Sequence, residues 1–80
     1  MKEINLFDVV FLKENLSGIN LPSGTVGTVI YVYKPEKVFE VDFINKEGFS
    51  IASVTVEKSQ IDLIEDYQRL IEFTIFKIEI

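Results

Sequence analysis

The stretch Val38-Phe39-Glu40-Val41-Asp42-Phe43-Ile44 decides how the rest of the chain is read. Phe39, Val41 and Phe43 alternate with Glu40 and Asp42, the period of a strand that turns one face to a core and the other to water. A helix would scatter the same residues around its circumference. Turn chemistry bounds the run on both sides. Lys34-Pro35-Glu36-Lys37 precedes it, and its proline fixes φ and cannot donate to a ladder; Asn45-Lys46-Glu47-Gly48 follows, with Gly48 able to take the left-handed conformation of a hairpin turn.

Strands are therefore expected on either side. Upstream, Gly24 to Tyr33 is the most β-prone part of the chain, and Gly27 within it marks a bulge or sharp bend, because a residue without Cβ lets the strand coil and another backbone come close. Downstream, Phe49 to Val56 forms a fourth strand with Ala52, Val54 and Val56 inward, joined by Phe49 and Ile51 if the strand bends. Glu57 to Gln60 reads as one helical turn and Ile61 to Ile64 as a short closing strand. Farther upstream, Lys13 to Ser23 lacks clean periodicity and is a long loop. Leu6 to Leu12 is the first strand, with Phe7, Val9 and Phe11 on one face and Asp8 and Val10 on the other. The expected centre of the core is Val9, Val26, Val29, Val41, Phe43 and Val54.

Length and composition fit this all-β reading and exclude several functions. Eighty residues, 48% hydrophobic and 26% charged, make one small domain in which nearly every large apolar side chain is needed inside. Residues 1–64 supply that domain, and 65–80 form a hydrophobic extension that packs on it or on a partner chain as an added β element. Leu70, Ile71, Phe73, Ile75, Phe76, Ile78 and Ile80 place seven large apolar residues in the last 11, too many to leave in water. Eight Lys/Arg against 13 Asp/Glu give a formal charge of −5, which repels a phosphate backbone and an anionic bilayer. The chain has no Cys and no His, which removes structural zinc, thiol chemistry and imidazole bases. No signal-peptide pattern and no apolar window of about 18 residues is present, so the expected location is cytoplasmic.

The combination Leu6-Phe7-Asp8-Val9-Val10, Gly24-Thr25-Val26-Gly27-Thr28-Val29, Phe39-Glu40-Val41-Asp42-Phe43 and the Gly48 turn resembles a bacterial family catalogued as domain of unknown function 4926, over about residues 6 to 64. The GTVGTV segment and the strand after it are more loosely similar to the SH3-like barrels of KOW modules and of the nitrile hydratase beta subunit. The resemblance implies a small SH3-like barrel of about five bent antiparallel strands. It implies no chemistry, because a shared fold does not transfer function.

No catalytic constellation emerges from the residues. The serines have no base to pair with, and Gly24-x-x-Gly27 lacks the Gly-Lys-Ser/Thr end of a phosphate loop. Glu40 and Asp42 share one strand face, which is ordinarily the wet one, and nothing has the spacing of a calcium loop. No catalytic, cofactor-binding or metal residue is therefore assigned. Two features stand above background: Tyr31 and Tyr33, each an apolar body with a polar tip, and the apolar tail. Together Tyr31, Tyr33, Ile71, Phe73, Ile75, Phe76 and Ile78 form the expected interface of a non-catalytic, acidic protein-binding module. Its partner is a second copy in a homodimer or a co-encoded protein that it inhibits or accompanies. The alternative is a nucleic-acid-associated barrel like the KOW modules, which the near-cancelling loop charges disfavour.

Overall fold

The computed structural model describes residues 3–64. Five strands follow one another along the chain, β1 (Val9–Leu12), β2 (Val26–Lys34), β3 (Val38–Ile44), β4 (Ser50–Glu57) and β5 (Ile61–Leu63), with single 3₁₀ turns at Ser17–Ile19 and Lys58–Gln60. They make one antiparallel sheet in the order β4-β3-β2-β1-β5. The all-β, five-stranded expectation holds, and among the described residues the sheet is not closed into a barrel. Among the described residues β4 and β5 are its two edges, and β5, only three residues long, is paired to β1 alone. The predicted extension, 65–80, lies outside the described residues.

β3 lies inside the sheet, between β4 and β2. Its burial alternates residue by residue, with Phe39, Val41 and Phe43 fully buried and Glu40 and Asp42 half-buried on the other face. Val29 from β2, Val10 and Leu12 from β1, Val56 from β4 and Ile61 from β5 complete the strand contribution to the core. Ile4 and Leu21, from outside the strands, close its ends.

β1 corrects the sequence reading in both length and facing. Residues 5–8 form a turn, in which the Asp8 N–H donates to the Asn5 carbonyl at 3.0 Å and the Asn5 N–H donates to Asp8 Oδ2 at 2.7 Å. The strand therefore begins at Val9, not Leu6, and Phe7 is 71% exposed. All four residues of β1 are apolar, so alternation alone leaves its facing open. Pairing settles it: Val10 lies opposite Gly27, and Leu12 opposite Ile61, which puts Val10 and Leu12 inside and Val9 and Phe11 on the second face. Val26, opposite Phe11, goes with them. Of the six residues expected at the core centre, Val29, Val41 and Phe43 are there; Val54 packs against the core from an edge strand, and Val9 and Val26 do not belong to it.

Gly27 marks a close approach and not a bulge. A Cβ at this position would meet Val41 Cγ1 at 2.6 Å, the Asp42 carbonyl oxygen at 2.8 Å and Phe43 Cδ1 at 2.9 Å. The irregularities of β2 come later, between Val29 and Tyr31 and between Val32 and Lys34. Each extra residue there bends the strand and increases its twist, which lets a five-stranded sheet wrap its own core. At the far end, Asn45 Oδ1 accepts from the Glu47 and Phe49 N–H groups, both at 3.0 Å, and Gly48 has φ 88°, as the hairpin reading expects. Phe49 and Ile51 beyond it are exposed, because a register shift between Phe43 and Ile44 turns the start of β4 away from the core. No helix among the described residues is long and apolar enough to cross a membrane.

Candidate interaction face

The second face of the sheet, turned away from the core, carries Tyr31 and Tyr33. Cross-strand partners in an antiparallel ladder point to the same side, so the register alone assembles it. Thr28, Asp42 and Ser53 form one row, and Tyr31, Glu40 and Thr55 the next. By the same alternation Val26 and Ile44 continue the face at one end, while Tyr33 continues it at the other.

Its middle is a carboxylate and hydroxyl lattice. Glu40 Oε2 accepts from the Ser53 hydroxyl and Oε1 from the Thr55 hydroxyl, both at 2.7 Å, and the Tyr33 hydroxyl donates to Oε1 at 3.4 Å. Asp42 accepts from the Ser50 hydroxyl. Neutral donors replace the cations that usually answer carboxylates on a sheet. The Thr55 hydroxyl foremost, then that of Ser53, with a smaller share from Tyr33, stabilises the ionised form of Glu40 and holds its carboxyl below the ordinary glutamate range. Both oxygens of Glu40 are therefore occupied.

Above this floor stand the tyrosines. Tyr31 and Tyr33 are 57% and 52% exposed, and their rings meet edge to face with centroids 4.8 Å apart and planes at 63°. Aromatic pairs prefer this offset arrangement, so the two rings restrain each other. The neighbouring chain adds to the patch. The Phe7 N–H donates to the Val29 carbonyl at 2.7 Å, which brings the exposed Leu6 and Phe7 alongside the exposed Ile30. Phe7 holds φ 71°, an uncommon conformation for a bulky residue. Five large side chains thus lie in water around one stretch of β2.

The opposite end of the face holds an open groove of about 630 Å³ between the approach to β2 and the β3 to β4 hairpin, where Pro22, Val26, Ile44 and Ile51 supply the apolar lining and Ser23, Thr25, Asn45 and Lys46 the polar part. Sequence reasoning missed it. No stretch of sequence marks it, because the space lies against the second face, between segments that are distant along the chain.

A third feature was also missed. The Lys37 N–H donates to the Lys34 carbonyl at 2.9 Å, closing a β-turn with Pro35 at its second position and Glu36, φ 63°, at its third. Such a turn favours glycine or asparagine there. Glu36 occupies the position because its carboxylate is used: Oε1 accepts the Ile4 N–H at 2.9 Å and Oε2 pairs with the Lys58 ammonium. Lys58, then the Ile4 N–H, hold the Glu36 carboxyl below its ordinary range. One side chain clasps the N-terminal segment, the β2 to β3 turn and the 3₁₀ turn before β5.

Fold and face together define a small all-β domain built on one wrapped antiparallel sheet, with an acidic, hydroxyl-rich second face flanked by apolar ends. The family described as a domain of unknown function, DUF4926, matches residues 6–63. The match covers most of the chain, which belongs to that family. No curated protein and no solved structure is similar enough to count as a match. Of the expected interface, Tyr31 and Tyr33 are brought together; Ile71, Phe73, Ile75, Phe76 and Ile78 lie outside the described residues.

Proposed function

We propose that this protein is a non-catalytic, acidic protein-binding module that meets its partner through the exposed patch around β2. The observation that carries the reading is the gathering of Leu6, Phe7, Ile30, Tyr31 and Tyr33 in water in a chain with few apolar side chains to spare. Tyrosine suits such a surface, because it supplies contact area with little rotameric freedom to lose and keeps a polar tip for hydrogen bonding. The carboxylates beside it are poor candidates for acid-base work. Glu40 has both oxygens engaged and a carboxyl held below the ordinary range, which weakens it as a proton acceptor.

A second copy of the chain is the first partner to test, since closed two-fold pairing is the commonest homo-oligomeric arrangement. Light scattering over a dilution series is expected to show a mass of two chains at high micromolar concentration that falls toward one on dilution. Tyr31→Ser with Tyr33→Ser is expected to move that transition to higher concentration with the melting temperature little changed, because both side chains are more than half exposed. A mass of one chain throughout leaves a different protein as partner. Fluorescence anisotropy with labelled single and double strands at low salt tests the reading itself: tight binding that weakens steeply with added salt would overturn it in favour of nucleic acid.

A further inference from the structure

The groove at the far end of the second face and the apolar tail each lack a counterpart in the patch just described. We propose that residues 70–80 of the same chain dock into the groove lined by Pro22, Val26, Ile44 and Ile51. This goes beyond the binding reading and does not depend on it.

Three observations converge. First, the groove wall is apolar where it could have been polar: Val26 and Ile44 occupy the same face as Thr28 and Asp42, one alternation step away, and Ile51 is 48% exposed beside them. Second, β5 ends one row from the groove, although it runs from Ile61 beside Leu12 toward Val9, away from the groove end, so that a connector beyond Ile64 reaches the groove by turning back. The Ile64 N–H donates to the Val9 carbonyl at 3.0 Å, and Val9 is paired with Thr28 on the row next to the groove. Third, the sequence between is the right length and character. Glu65-Asp66-Tyr67-Gln68-Arg69 is a mostly polar connector of five residues, followed by seven large apolar residues between Leu70 and Ile80. Extended, five residues reach roughly 17 Å; the three strand spacings from β5 to β3 are about 14 Å across the sheet and the two-residue step from the Thr28 row back to Val26 about 7 Å along it, about 16 Å together. A segment tethered this closely acts at an effective concentration in the millimolar range, far above that of a second copy in dilute solution, which favours its own groove over a neighbour's.

The absence of cysteine makes the test direct. A nitroxide is attached at Thr74→Cys, a polar position within the tail, in the full-length chain, and paramagnetic broadening of the backbone amides is mapped. Broadening is expected to centre on Val26, Ile44 and Ile51 and to spare Phe39 and Val56. A second sample mixes isotope-labelled chains without nitroxide and unlabelled chains with it. Broadening at the groove confined to the first sample supports the proposal; the same broadening in the mixture assigns the groove to a second copy and overturns it. Broadening elsewhere, or none, also overturns it. Adding Ile51→Asp, an exposed position that tolerates charge, is expected to abolish the groove signal, and its persistence would refute docking there. Failure of these outcomes leaves the tyrosine patch untouched, and loss of self-association on Tyr31→Ser leaves the tail signal untouched, so the two readings fail separately.

Discussion

In β1, Val9 and Val10 are neighbours in sequence and opposites in the structure. Val10 is fully buried, and Val9 is half-buried on the second face. Val10→Ala removes two methyl groups and leaves a cavity, so it is expected to cost about 2 kcal/mol, while Val9→Ala is expected to cost under about 1 kcal/mol. Urea denaturation of the two variants checks the difference, and equal costs would reverse the facing. Gly27 offers a second measurement at this scale. The nearest obstacles to its missing Cβ include a backbone carbonyl, that of Asp42, which cannot swing aside as a side-chain end could. Gly27→Ala is therefore expected to destabilise by about 1–3 kcal/mol through overpacking, read as a fall in melting temperature of several degrees. A neutral substitution would show that β2 and β3 separate more easily than their register implies.

The elements depend on joints as much as on ladders. The β2 to β3 turn is held by Glu36 in a conformation that glycine would adopt without strain. Glu36→Gly relieves that strain and removes the bonds to Ile4 and Lys58. If backbone strain dominated, the variant would be more stable; the clasp predicts the reverse. The expected outcome is a lower melting temperature together with faster hydrogen exchange at the Ile4 amide, which loses its acceptor. Glu36→Gln separates the two roles, since its amide oxygen still accepts from Ile4 while the ion pair with Lys58 is gone. Protection at Ile4 is expected to survive in that variant.

For the whole molecule, acid is the informative stress. Folding lowers the pKa of Glu36 and of Glu40 from the ordinary glutamate value of 4.5. A carboxyl with a depressed folded pKa binds fewer protons folded than unfolded, so its contribution is complete above about 4.5 and is lost as pH falls through the lower folded value. Stability is expected to fall below pH 4.5, and more shallowly in a chain carrying both Glu36→Gln and Glu40→Gln. Parallel pH profiles would mean that the two carboxylates are as easily protonated folded as unfolded. The formal charge of −5 works in the opposite direction, because protonation relieves self-repulsion, and the doubly substituted chain, with two carboxylates fewer, shares most of that effect.

Features that depend on local pattern are readable from the residues alone. β3 runs over Val38–Ile44 as its alternation of apolar and acidic residues requires, and the Gly48 turn and the 3₁₀ turn at Lys58–Gln60 sit where their residue types put them. The pairing of Tyr31 with Tyr33 on one face also follows from their spacing of two. Tertiary structure decided everything for which local pattern was silent. Val9-Val10-Phe11-Leu12 is apolar on both faces, so only register against Gly27 and Ile61 could orient it. Glu36 reads locally as one residue of a turn, and its value comes from Ile4 and Lys58, 32 and 22 positions away. The groove has no local signature, because its walls come from the loop before β2 and the hairpin after β3, which meet only when the sheet wraps. Alternation fixes which way a strand's side chains point relative to one another; contacts between distant segments fix which of the two sides becomes the core.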